Sequence, residues 1–348
     1  MASSKKYGYR LFTTSLRKGY GNSRHAFSSD GIYESSESAI DDIVAIAEEY
    51  IGKVYFHPLL LQRWIDKKGD TYDISTDPNT KAVLLTNVKR HPGRIDFEFK
   101  WGKEGSHDEA LSRDIRENVP LKGKAPANPY YVSLFLPKDG GTTGILMAEA
   151  QGRLSPGMDL LRYLACLMES TAIDSQGLAP EADWWNFTVK AISDEERLRE
   201  QIEEGRLHQV KLEKHSYDAI TGKPGKAFME FTQRTFDSKA HTGLIKGVLN
   251  WLGHATDEGE EVKLPPEEAV KEISACVTEE VEGIDWDSGS VTFADKEGSV
   301  KTVSPENMSA FFTYPVQAGD RPKQYQYLDD AKEKVERLQS ILKIELDL

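Results

Sequence analysis

Three stretches of this chain alternate apolar and polar side chains and break in the middle at a turn containing glycine or proline. Successive side chains of a strand point to opposite faces, so a period of two marks a half-buried strand, and two such runs around a tight turn mark a hairpin. The first stretch is "KAVLLTNVKRHPGRIDFEFKWG", where Pro92-Gly93 supplies the turn. The second is "YYVSLFLPKDGGTTGILMAEA", joined at "PKDGGT". A third, "GSVTFADKEGSVKTVS", turns at "DKEG". Hairpins pair antiparallel, so these runs predict an α+β chain of several antiparallel hairpins and small β-α-β units, with packed helices and a C-terminal helix.

The segments between them fill in that frame. Residues 7–14, "YGYRLFTT", read as an opening strand, and 15–34 as a loop. Ser36 or Ser38 caps a helix whose apolar face is Ala39, Ile40, Ile43, Val44, Ala47 and Ile51. "KVYFHP" is a strand ended by Pro58. After "QGRLSPG", Ser155 as N-cap and Pro156 at the first position start a helix to about Glu169, with Leu160, Leu161, Leu164 and Leu167 inward. "STAIDSQGLAPEAD" reads as a linker. "WWNFTVKAIS", a polar helix from Asp194 and "LHQVKLEKHS" form a strand–helix–strand unit. Further helices are expected in "SKAHTGLIKGVLNWLGHA" and "EEAVKEISACV". In the last helix Leu328, Val335 and Leu342 fall seven apart, with Ala331 and Leu338 between them. That spacing fits either packing on the chain's own core or the seam of a homodimer.

A chain of 348 residues suits two or three domains. The boundaries read as 1–172 for an N-terminal α+β domain, 181–254 for a small α/β unit with a basic surface, and 255–348 for an acidic loop, helix, hairpin and final helix. With 39% hydrophobic and 29% charged residues the composition is that of a soluble globular protein, and no apolar run reaches the roughly 18–20 residues of a membrane helix. The opening "MASSKKYGYRLF" lacks the apolar core of a signal peptide. Cys166 and Cys276 sit in helix-like apolar contexts without metal-ligand spacing, which predicts buried thiols in a reduced, cytoplasmic protein.

The net charge is −13, but it is segregated. Residues 206–246 carry eight Lys/Arg against four Asp/Glu, whereas 255–287 carry twelve acids and two lysines. The basic stretch contributes Arg206, Lys211, Lys214, Lys223, Lys226, Arg234 and Lys239 as candidate phosphate contacts. The hairpin tip "KRHPGR" adds Lys89, Arg90 and Arg94 around His91.

Other chemistry is weaker. "GGTTG" lacks the spacing and the Gly-Lys-Ser/Thr of a phosphate loop and joins two strands, so it reads as turn chemistry. Arg153 and the amides after "QGRLSPG" could hold a phosphate at a helix N-terminus. Asp96 and Glu98 share one strand face with Lys100 after them, an acid–acid–lysine order that fits either a metal-dependent nuclease or a solvated face. "DWDSGS" lacks the later acids of a calcium loop, and the histidines are scattered. No cofactor is expected.

Taken in order, "NPYYVSLFLPKDGGTTGILMAEAQGRLSPGMDLLRYL", "EEGRLHQVKLEK" and "SGSVTFADKEGSVKTVS" followed by a C-terminal helix resemble the RexA-like phage-exclusion (abortive-infection) family over about residues 50–345. The resemblance implies a homodimeric α+β protein that binds double-stranded DNA without strong sequence preference. It implies an intracellular sensor of phage infection that acts with a membrane-protein effector and is not itself an enzyme or inserted in the membrane. It carries no residue roles, so the DNA-contacting residues named above rest on charge alone.

Overall fold

The computed structural model describes residues 7–33, 36–56, 81–103, 109–110, 119–120, 124–152, 154–176, 183–192, 194, 206–217, 224–234, 254–255, 261–262, 288–294, 300–303, 313–316 and 320–348. The fold is α+β, with antiparallel sheets and a C-terminal helix. The chain divides into two compact units, residues 1–191 with 314–348, and residues 192–313.

The first unit is built on an eight-stranded sheet. Its strands are β1 (Tyr7–Lys18), β2 (Val54–Phe56), β3 (Lys81–His91), β4 (Arg94–Lys103), β7 (Ala127–Phe135), β8 (Gly144–Gln151), β9 (Trp185–Ala191) and β16 (Tyr314–Pro315). A two-strand ladder of β5 (Glu109–Ala110) and β6 (Val119–Pro120) interrupts the chain order between β4 and β7. The sheet order is β16-β1-β8-β7-β4-β3-β2, and β9 also pairs with β1. Strand β1 extends to Lys18, beyond the predicted Thr14, because its far half has a partner the local pattern does not reveal. Thr13 and Thr14 lie opposite Ile145 and Gly144 on one side, and Phe12 to Lys18 pair with β9 on the other.

Both faces of the central strands are covered, and β8 is buried from Gly144 to Ala150. One face packs under α1 (Ala39–Glu49) and α2 (Gly157–Gln176), joining Phe12, Phe97, Phe99, Val132 and Leu146 to Ile43, Leu160, Leu161, Leu164 and Leu167. Ser38 caps α1 by accepting the Asp41 amide, as predicted. Ile51, expected on the apolar face, falls beyond the helix end and is exposed, while Ile46 takes a buried place. Helix α2 starts at Gly157. Ser155 does not cap it; its hydroxyl donates to the Ala148 carbonyl at 3.5 Å. A Cβ on Gly157 would stand 2.4 Å from that of Ala148, so glycine lets the helix start directly against the sheet. The buried stripe continues through Met168 and Ala172, which carries the helix to Gln176 and into the stretch read as a linker.

The other face packs under α3 (Gln324–Ile341). Tyr327, Ala331, Val335 and Leu338 are all buried within this unit, and Leu328 and Leu342 are half-buried. The heptad stripe is therefore spent on the chain's own sheet, and Ala331, Val335 and Leu338 are not available as a dimer seam. The boundaries at 172, 181 and 254 are also displaced. Strand β9 joins the first sheet through β1 instead of heading the basic unit, and α3, which follows the second unit in the sequence, belongs to the first unit.

The second unit contains a four-stranded sheet, β11-β10-β14-β15, made of β10 (Arg206–Tyr217), β11 (Pro224–Gln233), β14 (Ser288–Ala294) and β15 (Val300–Val303). A short ladder joins β12 (His254–Ala255) to β13 (Glu261–Val262). Val210, Leu212 and Val291 are buried on one face of the sheet. The predicted helices at 194–206, 238–255 and 267–277 lie almost wholly outside the described residues.

Candidate nucleic-acid interface

The β3–β4 and β7–β8 turns lie side by side at one end of the first sheet. Pairing of β4 with β7 sets Arg94 opposite Phe135, and the Leu136 amide donates to the Gly93 carbonyl at 2.8 Å. Gly93 has φ +65°, the conformation for which the Pro-Gly turn requires glycine. The juxtaposition gathers Lys89, Arg90, His91 and Arg94 from one turn with Lys138 from the other. Lys138 belongs to "PKDGG" and was missed by sequence reasoning, because only the β4–β7 register brings it beside the tip.

These cations are not equally free. Lys89 is exposed, and among the described residues no carboxylate lies within ion-pair range of it. Arg90 is half exposed and pairs with Asp41 of α1. Asp41 is held below its ordinary value by the Ser38 hydroxyl and, against some opposing burial, by Arg90. Arg94 holds Asp96 through Nε and Nη2 at 2.8 and 3.1 Å, and His91 Nε2 lies 3.3 Å from the same carboxylate. Lys138 Nζ lies 3.6 Å from Glu345, with both side chains largely exposed.

Those contacts also bear on the acid pair of β4. Asp96 is buried and already occupied by Arg94 and His91. Glu98 takes the Asn87 side-chain amide at 3.4 Å. The two carboxylates thus face neighbours of their own, as a mixed-charge sheet face does. Among the described residues no group of three or more His, Cys, Asp or Glu is placed to hold a metal ion.

The glycine turns resolve as turns. The Gly141 amide donates to Lys138 O at 2.9 Å and the Gly140 amide to Ser28 Oγ at 3.2 Å, so the fold uses both donors. After β8, Gln151 and Leu154 exchange backbone bonds around Gly152, whose φ is +62°. Arg153 lies outside the described residues. The first turn of α2 is occupied by Asp159, which takes Lys81 Nζ at 3.0 Å and Trp101 Nε1 at 3.0 Å. A carboxylate already stands where a phosphate would seek the helix N-terminus.

In the second unit Lys211 lies on the polar face of β10 between two carboxylates, with Nζ 2.5 Å from Glu213 and 3.0 Å from Glu230. Glu213 and then Glu230 raise its pKa, so it stays charged but locally neutralised. Arg234 is exposed just past β11, and Lys214 is half-buried in β10. Arg206 and Lys226 belong to β10 and β11, but their side chains, like Lys223 and Lys239 altogether, lie outside the described residues. Cys166, expected buried, is half-buried, with its thiol 2.8 Å from the Arg162 carbonyl; Cys276 lies outside the described residues.

Another buried polar constellation lies elsewhere in the first unit. Glu149 receives Arg321 Nε and Nη2 at 2.9 and 2.7 Å, the Tyr131 amide at 2.8 Å, Gln151 at 3.1 Å and the Tyr327 hydroxyl at 3.2 Å. Arg321 also lies over the Tyr131 ring at 4.2 Å. Every lone-pair direction of that carboxylate has a donor, so the cluster fastens α3 to β8 and leaves no site for a ligand. No helix among the described residues is long and apolar enough to cross a membrane.

Comparison with known proteins finds no family model, no curated protein and no solved structure that matches this chain.

Proposed function

We propose that this chain is a non-enzymatic protein that binds double-stranded DNA through backbone phosphates, largely without regard to sequence. The observation that supports it best is the adjacency of two basic turns at one sheet end, with Lys89 exposed and lacking an ion-pair partner among the described residues. Phosphate neutralisation needs clustered cations on projecting loops and no base-reading element. The pairs of Arg90 with Asp41 and Lys138 with Glu345 do not oppose this strongly. Solvated ion pairs are worth only about 0–1 kcal/mol, so a duplex offering many phosphates can displace them. Arg94 is held more firmly by the buried Asp96 and acts mainly to shape the tip. Lys214 and the exposed Arg234 are further candidate phosphate contacts on the other unit. The role as an intracellular sensor of phage infection, with a membrane-protein effector, comes from the family resemblance alone.

The test is to titrate a labelled random-sequence duplex with the full chain at low and moderate salt, first without metal and then with magnesium. Binding that fades as salt rises, with the duplex intact, is the expected result. Cleavage in magnesium would move the assignment to a nuclease, and absence of binding at low salt would remove DNA from the function.

A further inference from the structure

The end of the sheet that carries the basic turns is crossed by the last residues of the chain. The Lys138 amide donates to the Glu345 carbonyl at 2.9 Å, Pro137 bridges to Leu346, and the Asp347 amide donates to the Leu136 carbonyl at 3.0 Å. Leu346 is buried there, which anchors the segment. Contact with the β3–β4 turn is so close that a Cβ on Gly93 would fall 1.6 Å from the Asp347 carbonyl oxygen and 3.0 Å from its Cβ. The segment "IELDL" alternates apolar and acidic residues, so anchoring Leu346 leaves Glu345 and Asp347 exposed beside the basic turns. Glu345 is 3.6 Å from Lys138.

We propose that this acidic tail is an autoinhibitory strap. Glu345 and Asp347 stand in for phosphates at the Lys138 and Gly93 turns, and a duplex gains the full basic surface only by outcompeting them. The inference rests on the DNA-binding reading above and adds its regulation. The chemistry is direct: two carboxylates fixed beside a phosphate-binding surface repel the ligand, and one of them also neutralises a cation. Backbone bonds and Leu346 hold the tail at a defined place, so its carboxylates are present at high local concentration.

The experiment compares the full chain with Glu345→Gln/Asp347→Asn, which keeps Leu346 and every backbone bond. A second double variant, Glu333→Gln/Glu336→Gln, makes the same change in net charge on the exposed side of α3. Duplex affinity is measured for all three at one salt concentration, with circular dichroism to verify the fold. The expected result is an affinity gain of about three- to fivefold for the tail variant and about 1.5-fold or less for the α3 variant. Equal gains in both variants, or none in either while the parent still binds, would overturn the strap and leave DNA binding standing. If no protein binds the duplex at low salt, the DNA-binding reading itself fails and the strap falls with it.

Discussion

Arg321 grips Glu149 with two parallel hydrogen bonds, at 2.9 and 2.7 Å, across 172 residues of chain. The glutamate side chain is fully buried and the arginine side chain is 23% exposed, so the pair lies in the seam between β8 and the segment leading into α3. It ties the returning C-terminal segment to a sheet made almost wholly by the first 191 residues. Burial alone would lower the arginine, but the hydrogen bonds and charge of Glu149 raise it on balance, so the guanidinium stays charged in the fold.

Removing one partner leaves a buried charge without its counter-ion. Arg321→Ala is expected to lower stability by about 3 kcal/mol, read as a lower midpoint in urea unfolding. Glu149→Gln keeps the shape but turns a strong acceptor into a half-donor facing Arg321, and should fall in the same direction. An unchanged midpoint in both would show that α3 docks by its apolar stripe alone.

Alkaline pH should unfold the first unit through its buried phenols. Burial, aided by the Glu149 charge, pushes Tyr130 up to about 12, and Tyr33 and Tyr327 are raised further by burial beside Asp42 and Glu149 respectively. The neutral form is favoured in the folded state. Their stabilisation is therefore intact below the ordinary tyrosine value of 10.0 and is lost as pH rises toward about 12 and beyond. Tyrosinate absorbance should rise in two stages, the second coincident with loss of circular dichroism. A single smooth rise without unfolding would contradict the burial.

Gly157→Ala should cost about 1–3 kcal/mol, although alanine is the better helix former. Its new methyl would meet Ala148 at 2.4 Å and Val132 at 3.3 Å, and both belong to the packed face of the sheet. Thermal unfolding by circular dichroism checks it. A rise in the midpoint would mean that α2 can lift from β8 without penalty.

Joint replacement of Lys89, Arg90 and Lys138 by Ala should weaken duplex binding and reduce the slope of log affinity against log salt by about 2–3. Lys211→Ala should change that slope little, because Glu213 and Glu230 already neutralise the ammonium. The reverse order of effects, measured by the same titration, would shift the interface to the second unit.

The local patterns were legible where a segment's neighbours were also its sequence neighbours. The β3–β4 and β7–β8 hairpins, the Ser38 cap and the leucine face of α2 all follow from periodicity and turn chemistry. Ion pairs were not legible. Nothing in "KRHPGR" says that Arg90 meets Asp41 from a helix 49 residues earlier. Nor does "IELDL" announce that it crosses two turns at the far end of a sheet.

The alternation of side chains, broken at tight glycine and proline turns, by itself determined that this chain builds antiparallel hairpins, because a short turn can join only antiparallel neighbours. The a/d stripe of α3 was determined too, but not its partner, since a helix presents the same apolar face to its own sheet or to a second copy. Tertiary structure alone decided that the stripe lies over Glu149 and β8, that β9 leaves the basic segment to pair with β1, and that Lys138 joins Lys89 at one sheet end. Those choices depend on register and on contacts between residues far apart in the chain, and periodicity along the chain carries no record of either.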